Sequence, residues 1–294
     1  MSLLEQIQKE AEDFNGVLGV SVKHLDTGEY YCLNGDKVFP TASVFKVPVI
    51  VEFFRQVDRG EIDLDEQVFL SERDKVPGSG VLKELSEGMP VSYRDLLNLM
   101  MIVSDNTATD LVVKRVGFDN INAAMKKFGL EKTHVTKYCR DILFDLVGLN
   151  DLEPEEMTID VFREAAENGE YTGSWSLGVE NNDVSTPIEM NHLLELVNNG
   201  EAASKESCEK ILDIMAKCQT GNYRIPKYLP QKKLLLQRKT GSLPGIRNDV
   251  GIITMKESGE KYCLTCFTMK AEDIYAAEEV IARVSQVVYE YFSS

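Results

Sequence analysis

The sequence predicts an α/β fold: a five-stranded antiparallel sheet flanked by terminal helices, with an inserted all-helical lobe. Three observations carry this. An amphipathic segment and two strand-like runs open the chain, a helix-rich stretch fills its middle, and three strand-like runs and a last amphipathic segment close it. The simplest packing gathers all five strands into one sheet covered by the terminal helices. Residues 1–42 and 220–294 then form a discontinuous α/β lobe and residues 43–219 the helical lobe, within one structural unit.

Between Met1 and Asn15, Leu3, Leu4, Ile7, Ala11 and Phe14 stand at helical spacing against Glu5, Gln8, Lys9, Glu10 and Glu12, which predicts an amphipathic helix. Val17–Leu25 and Glu29–Leu33 read as strands joined by the turn Asp26-Thr27-Gly28. The apolar run after Thr41-Ala42 continues through Val57, too long for a strand, and predicts a helix starting at Ser43 with Pro48 in its first turns. Further helices are predicted at Ser92–Val103, with Ser92 as N-cap, and at Thr107–Val116, Phe118–Phe128, Pro187–Val197 and Lys205–Lys217. Strands are predicted at Lys232–Arg238, Asp249–Met255 and Tyr262–Met269, then a final helix from Ala271 to Phe292. From Cys139 to Ser185 the chain is acidic and poorly periodic, and no element is assigned to it.

The 294 residues are 43% hydrophobic and 27% charged, the composition of an ordinary globular protein. A formal charge of −16 argues against nucleic acid and anionic membrane surfaces as partners, since both repel it. No window approaches the roughly 18–20 apolar residues of a membrane span. As it stands the chain reads as cytoplasmic, or as periplasmic or extracellular if a leader has been removed; a monomer is expected. Cys32, Cys139, Cys208, Cys218, Cys263 and Cys266 are scattered, so free thiols are expected rather than a disulfide framework. Cys263 and Cys266 form a CxxC, but in a strand their side chains point to opposite faces. No metal or cofactor is expected.

Three short motifs carry chemistry: Ser43-Val44-Phe45-Lys46, Ser104-Asp105-Asn106 and Lys239-Thr240-Gly241. A serine hydroxyl is a poor nucleophile near neutral pH and needs a base. His24, His134 and His192 lie in no such motif and read as structural. Lys46, one helical turn from Ser43, can serve if its pKa is lowered, and a second cation at Lys239 pushes in that direction. Alone, Ser43 and Lys46 would read as an N-cap and a solvated lysine, and Ser104-Asp105-Asn106 as a polar helix cap. Together the motifs supply a nucleophile, a base, a hydroxyl that can relay a proton to the leaving nitrogen (Ser104), an amide for the substrate's side chain (Asn106) and a cation for its carboxylate (Lys239). Gly241 lets a substrate lie against the strand edge. The N–H groups of Ser43 and Ser242 are the candidate oxyanion hole, where one donor is worth on the order of 3 kcal/mol.

These motifs resemble those of the class A β-lactamases and the neighbouring penicillin-recognising serine hydrolases. Pro40–Pro48, Gly78-Ser79-Gly80-Val81-Leu82, Ser104–Ala108, Thr220–Ile225 and Lys239–Ser242 with Asn248-Asp249 all resemble the family's stretches. The resemblance implies the two-lobed fold, and acyl-enzyme roles for Ser43, Lys46, Ser104, Asn106, Lys239 and Thr240. Arg224 or Arg247 is a candidate further cation for the substrate carboxylate; each reads equally well as a surface or structural arginine.

The resemblance breaks in one loop. The family carries Arg-x-Glu-x-x-Leu-Asn there, whose glutamate activates the water that hydrolyses the acyl-enzyme, and no such string exists here. Extension without gaps from Gly129 and Thr133 puts Cys139 near the glutamate's place. Glu153, Asp141 and Asp145 are the candidate replacements. Three functions follow: a class A-type serine hydrolase opening β-lactams, a penicillin-binding peptidase or esterase with slow β-lactam turnover, and a non-catalytic binding or sensor protein.

Overall fold

The computed structural model describes residues 1–169 and 171–294. Its first helix, α1 (Leu3–Ala11), starts at Ser2, whose hydroxyl accepts the Glu5 N–H while the Glu5 carboxylate accepts the Ser2 N–H. This reciprocal cap satisfies two N–H groups that a helix start leaves open. The strands are β1 (Val17–His24), β2 (Tyr30–Leu33), β3 (Phe39–Pro40), β4 (Gln67–Phe69), β5 (Pro90–Ser92), β6 (Val184–Ser185), β7 (Leu234–Leu243), β8 (Ile246–Met255) and β9 (Lys261–Met269). Five of them form one antiparallel sheet in the order β2-β1-β9-β8-β7. The short pairs β3–β6 and β4–β5 are additional two-stranded ribbons.

The remaining helices are α2 (Lys46–Asp58), α3 (Tyr93–Ile102), α4 (Asn106–Val116), α5 (Phe118–Lys127), α6 (Cys139–Leu146), α7 (Ile159–Asn168), α8 (Pro187–Asn199), α9 (Lys205–Met215) and α10 (Ile274–Phe292). Among the described residues no helix is long and apolar enough to cross a membrane. One sheet face buries Val20, Val22, Tyr262, Leu264 and Cys266 with α1 and α10. The other buries Ile252, Cys263 and Phe267 in a larger core shared with α2, α3, α4, α8 and α9. Cys263 and Cys266 thus lie on opposite faces, as strand alternation requires, and all six cysteines are free thiols.

Two expectations change. The helix expected from Ser43 begins at Lys46 and is preceded by a 3₁₀ turn, Ala42–Phe45. Pro48 then falls at the third helical position, where its missing N–H costs nothing. The stretch from Cys139 to Ser185, without assigned elements in the sequence, contains α6 and α7. α6 buries Ile142, Phe144 and Leu146. α7, capped by Thr158, buries no residue completely; its Ile159, Phe162, Ala165 and Ala166 form a short half-buried apolar stripe, with the Phe162 ring against Phe144 of α6.

Candidate active site

The turn carrying Ser43 is held from three sides. Thr41 donates its N–H and its hydroxyl to the Asp183 carbonyl, both at 2.9 Å. Asn248 on β8 donates from Nδ2 to the carbonyls of Pro40 and Thr41, at 2.9 and 3.0 Å, while its Oδ1 accepts the Thr268 N–H. On the third side stands Gly241 of β7. A Cβ there would lie 2.4 Å from the Thr41 carbonyl oxygen and 3.2 Å from the Ser43 nitrogen. Only glycine lets the strand run this close to the turn. Ala42, just before the serine, is held at φ +45°, a left-handed conformation that costs about 1 kcal/mol or more and persists only where its surroundings enforce it.

Behind Ser43 two buried lysines converge. Lys46 Nζ donates to the Ser104 carbonyl at 2.9 Å, to Ser104 Oγ at 3.1 Å and to Asn106 Oδ1 at 3.0 Å. Lys239 Nζ donates to the same Ser104 Oγ at 2.9 Å and to the Thr240 carbonyl at 2.7 Å. Burial lowers the Lys46 ammonium below the usual lysine range, against the opposing pull of Cys139, Asp110 and Asp105. Burial, then the charge of Lys46, lowers Lys239 to about 7. Ser104 is presented to both by a backbone held at φ +59°. The next residue, Asp105, accepts the N–H groups of Val81, Leu82 and Ala108 at 2.6, 2.8 and 2.9 Å. It thereby caps α4 and fastens the Gly78–Leu82 loop beside the cleft.

A cleft of about 290 Å³ opens at Ser43, and Ser79, Asn106, Cys139, Leu143, Tyr171, Ser242 and Leu243 are among its lining residues. Thr240 and Thr220 share a hydroxyl contact of 2.5 Å next to Lys239. The structure therefore assembles Ser43, Lys46, Ser104, Asn106, Lys239, Thr240, Gly241 and Ser242 in one place, from three separate stretches of chain.

Other sequence candidates go elsewhere. Arg224 is buried, donating to the carbonyls of Gly241 and Asn248 and to Ser242 Oγ, with Glu278 as its ion-pair partner. It props β7 from behind. Arg247 donates to the carbonyls of Leu243 and Ile246 in the hairpin of its own strand. None of Glu153, Asp141 and Asp145 lines the cleft. Glu153 is exposed and its N–H binds the Glu156 carboxylate. Asp145 pairs with Lys137. Asp141 accepts the Tyr138 N–H at the start of α6 and lies in a separate cavity with Arg140 and Glu155. Among the described residues the cleft has no carboxylate in its lining. Cys139 takes that wall, its thiol pushed well up by burial. The histidines are elsewhere too: His24 Nδ1 accepts the N–H groups of Asp26 and Thr27, and His192 faces Glu195.

Two buried acids near this wall had no signal in the sequence. Asp110 accepts the N–H groups of Cys139 and Arg140 at 2.7 and 3.1 Å, fixing the first turn of α6; burial raises it to about 6. Asp183 accepts the Thr136 and Lys137 N–H groups with Oδ1, while its buried Oδ2 has no partner among the described residues. Burial raises it to about 7. Asp183 stands in an acidic stretch and Asp110 is the single acid of α4; in neither place does the local sequence distinguish a buried carboxyl from a solvated one.

Comparison with known proteins agrees with this geometry. A family model described as the beta-lactamase enzyme family matches residues 2–292. Beta-lactamase VEB-1 of Pseudomonas aeruginosa is 25% identical, over 99% of this chain and 90% of its own length. The crystal structure of a beta-lactamase from Sphaerobacter thermophilus DSM 20745 superposes with a TM-score of 0.80 at 28% identity, covering 99% of this chain and 97% of that one. An acyl-enzyme complex of a PBP-A mutant with penicillin G superposes with a TM-score of 0.81 at 26% identity, covering 99% and 96%. With a match from end to end and a shared class A fold, this chain belongs to the beta-lactamase enzyme family of hydrolases.

Proposed function

We propose that this protein opens β-lactam amides through an acyl-Ser43 intermediate and releases the acyl group slowly. The observation that carries the reading is the meeting of Lys46 and Lys239 on Ser104 Oγ. Two mutually repelling buried cations favour loss of one proton, which leaves an amine able to act as base. Lys46 takes the Ser43 proton as Oγ adds to the carbonyl carbon. The developing oxyanion faces the N–H groups of Ser43 and Ser242. As the carbon–nitrogen bond breaks, Ser104 Oγ passes a proton to the leaving nitrogen and is resupplied by the lysine pair. The charged form of Lys239, with Thr240, attracts the substrate carboxylate, and Asn106 holds the substrate's side-chain amide. Side chains and backbone fill every role.

The slow second half rests on the cleft wall. Water needs a base to attack the acyl ester, and this wall presents Cys139, Ile142 and Leu143. A thiol raised well above its ordinary range is a poor base for water. This favours a penicillin-binding enzyme, with a peptide or ester as an equally compatible substrate, over a fast lactamase. The similarity to PBP-A, one of whose mutants is described as an acyl-enzyme complex with penicillin G, supports the same side. Labelling with a fluorescent penicillin tests the reading: the native protein is labelled and Ser43→Ala is not. Equal labelling of the two, or no labelling of either, would contradict it.

A further inference from the structure

We propose that the acyl half of the substrate is an uncharged, apolar group of about aromatic size, selected by Leu143 and Tyr171. This rests on the proposed acyl-Ser43 chemistry. Bond cleavage separates the acyl side of the substrate, held on Ser43, from the nitrogen or oxygen side, which departs from a peptide or ester and stays tethered in a ring-opened β-lactam. The leaving nitrogen or oxygen must receive a proton from Ser104 Oγ, so the leaving half lies toward Ser104 and Lys239, neither of which lines the 290 Å³ cleft. The cleft is left for the half that stays.

Its walls decide what fits there. Phe45, Ile142, Leu143, Tyr171, Leu243 and Pro244 supply the apolar surface, and its polar residues are neutral serines and one asparagine apart from the Cys139 thiol. A charged acyl group would give up its hydration without finding a partner, which is costly. The volume sits at the small end for a ligand site, enough for one ring and its linker rather than an extended peptide.

The walls are also braced. Trp175 sits against Gly245 at the tip of the β7–β8 hairpin, where a Cβ would lie 2.4 Å from the ring and the backbone is held at φ +67°. That contact fastens the Tyr171 segment to the hairpin bearing Leu243 and Pro244. On its other side, the Thr172 N–H donates to the Leu146 carbonyl at 2.9 Å, tying Tyr171 to α6 with its Ile142 and Leu143. A preformed apolar pocket selects by fit more sharply than one that must be ordered on binding.

The step balances as an acyl transfer. Ser43 Oγ–H adds to R–C(=O)–X, the C–X bond breaks, X takes the proton, and R–C(=O)– remains esterified to Oγ. The X–H group departs from a peptide or ester and stays tethered to the acyl half in a ring-opened β-lactam. Water later cleaves the ester to R–COOH and restores the hydroxyl.

The test compares benzylpenicillin with carbenicillin, which differ by one carboxylate on the acyl side chain. Second-order acylation constants are measured by intact mass on the native protein, Leu143→Arg and Tyr171→Lys, with thermal melts to verify folding. The expected result is faster acylation by benzylpenicillin, by roughly tenfold or more, with the ratio reduced or reversed in whichever variants fold, because each supplies a cation. Equal rates, a preference for carbenicillin, or an unchanged ratio in both folded variants overturns this inference while leaving acyl-Ser43 chemistry standing. Absence of any Ser43 adduct with either compound overturns the underlying reading, and this inference with it.

Discussion

Lys46 and Lys239 donate to a single oxygen, Ser104 Oγ, from opposite ends of the sequence, at 3.1 and 2.9 Å. Both ammonium groups are fully buried. Holding two like charges around one hydroxyl is unfavourable: burial lowers Lys46 below the usual lysine range, and burial with the charge of Lys46 lowers Lys239 to about 7.

The first expectation concerns pH. Acylation needs Lys46 without its proton and gains from Lys239 with one. The second-order constant should rise with pH as Lys46 deprotonates, and the contribution of the Lys239 charge should be lost as pH rises through about 7. Lys239→Ala removes the neighbouring charge that opposes protonation of Lys46, so the rising limb should move to higher pH and that loss disappear. Stopped-flow acylation from pH 5 to 9 measures both; an unmoved rising limb counts against the coupling.

Gly241→Val tests the approach of β7 to the nucleophile. The added Cβ meets the Thr41 carbonyl oxygen, which Asn248 holds in place, so the turn cannot yield without breaking that bond. Acylation should slow by about a hundredfold, the effect of roughly 3 kcal/mol at the oxyanion donors. A rate within threefold of the native protein's would show that the turn is free to move.

Asp105 concentrates three N–H donors on one carboxylate. In Asp105→Asn one oxygen becomes a donor group facing other donors, leaving at least one buried N–H unpaired at a cost of about 2 kcal/mol. The melting temperature should drop by roughly 5 °C, with slower acylation because the Gly78–Leu82 loop is released. Calorimetry and acylation rates should change together. A variant as stable as the native protein would refute the role assigned to this carboxylate.

Asp183 gives a stability signature whose sign is fixed by its raised pKa. The folded state holds this proton more tightly than the unfolded state, so its contribution is full below the unfolded carboxyl range and is lost as pH rises through about 7. Asp183→Asn cannot ionise and escapes that loss. Relative to the native protein it should gain stability steadily from pH 4 to 8, reaching a difference on the order of 2 kcal/mol. Denaturant melts at the two pH values decide it; a constant difference would mean the acid is solvated.

Much of this fold is legible in sequence because its elements carry distinct apolar patterns. The central strands β8 and β9, buried on both faces, read as apolar-rich runs, α1 and α10 carry apolar stripes, and Ser43 and Lys46 sit one turn apart whether the turn is 3₁₀ or α. The motif residues were legible as chemistry because their types make sense only together. What escaped reading lacks a local pattern. The eight residues of α6 are too few to establish a period, and α7 half-buries a stripe of only four apolar residues among acids. Arg224 reads as a free cation until β7 and Glu278 are seen around it. Gly245 is an ordinary turn glycine in sequence, and only the fold shows that Trp175 sits against it. Burial of Asp110 and Asp183 is likewise a property of tertiary packing, with no mark in the local sequence.

The most direct test is a time course of intact mass after mixing the protein with benzylpenicillin, followed by a chase that removes free drug. The mass should rise by one acyl group on Ser43 and remain raised for many times the formation half-life, because the cleft wall offers Cys139 and Leu143 to the waiting ester. An adduct that clears as fast as it forms would contradict the slow release, and a mass that never rises would contradict the acyl-Ser43 chemistry itself.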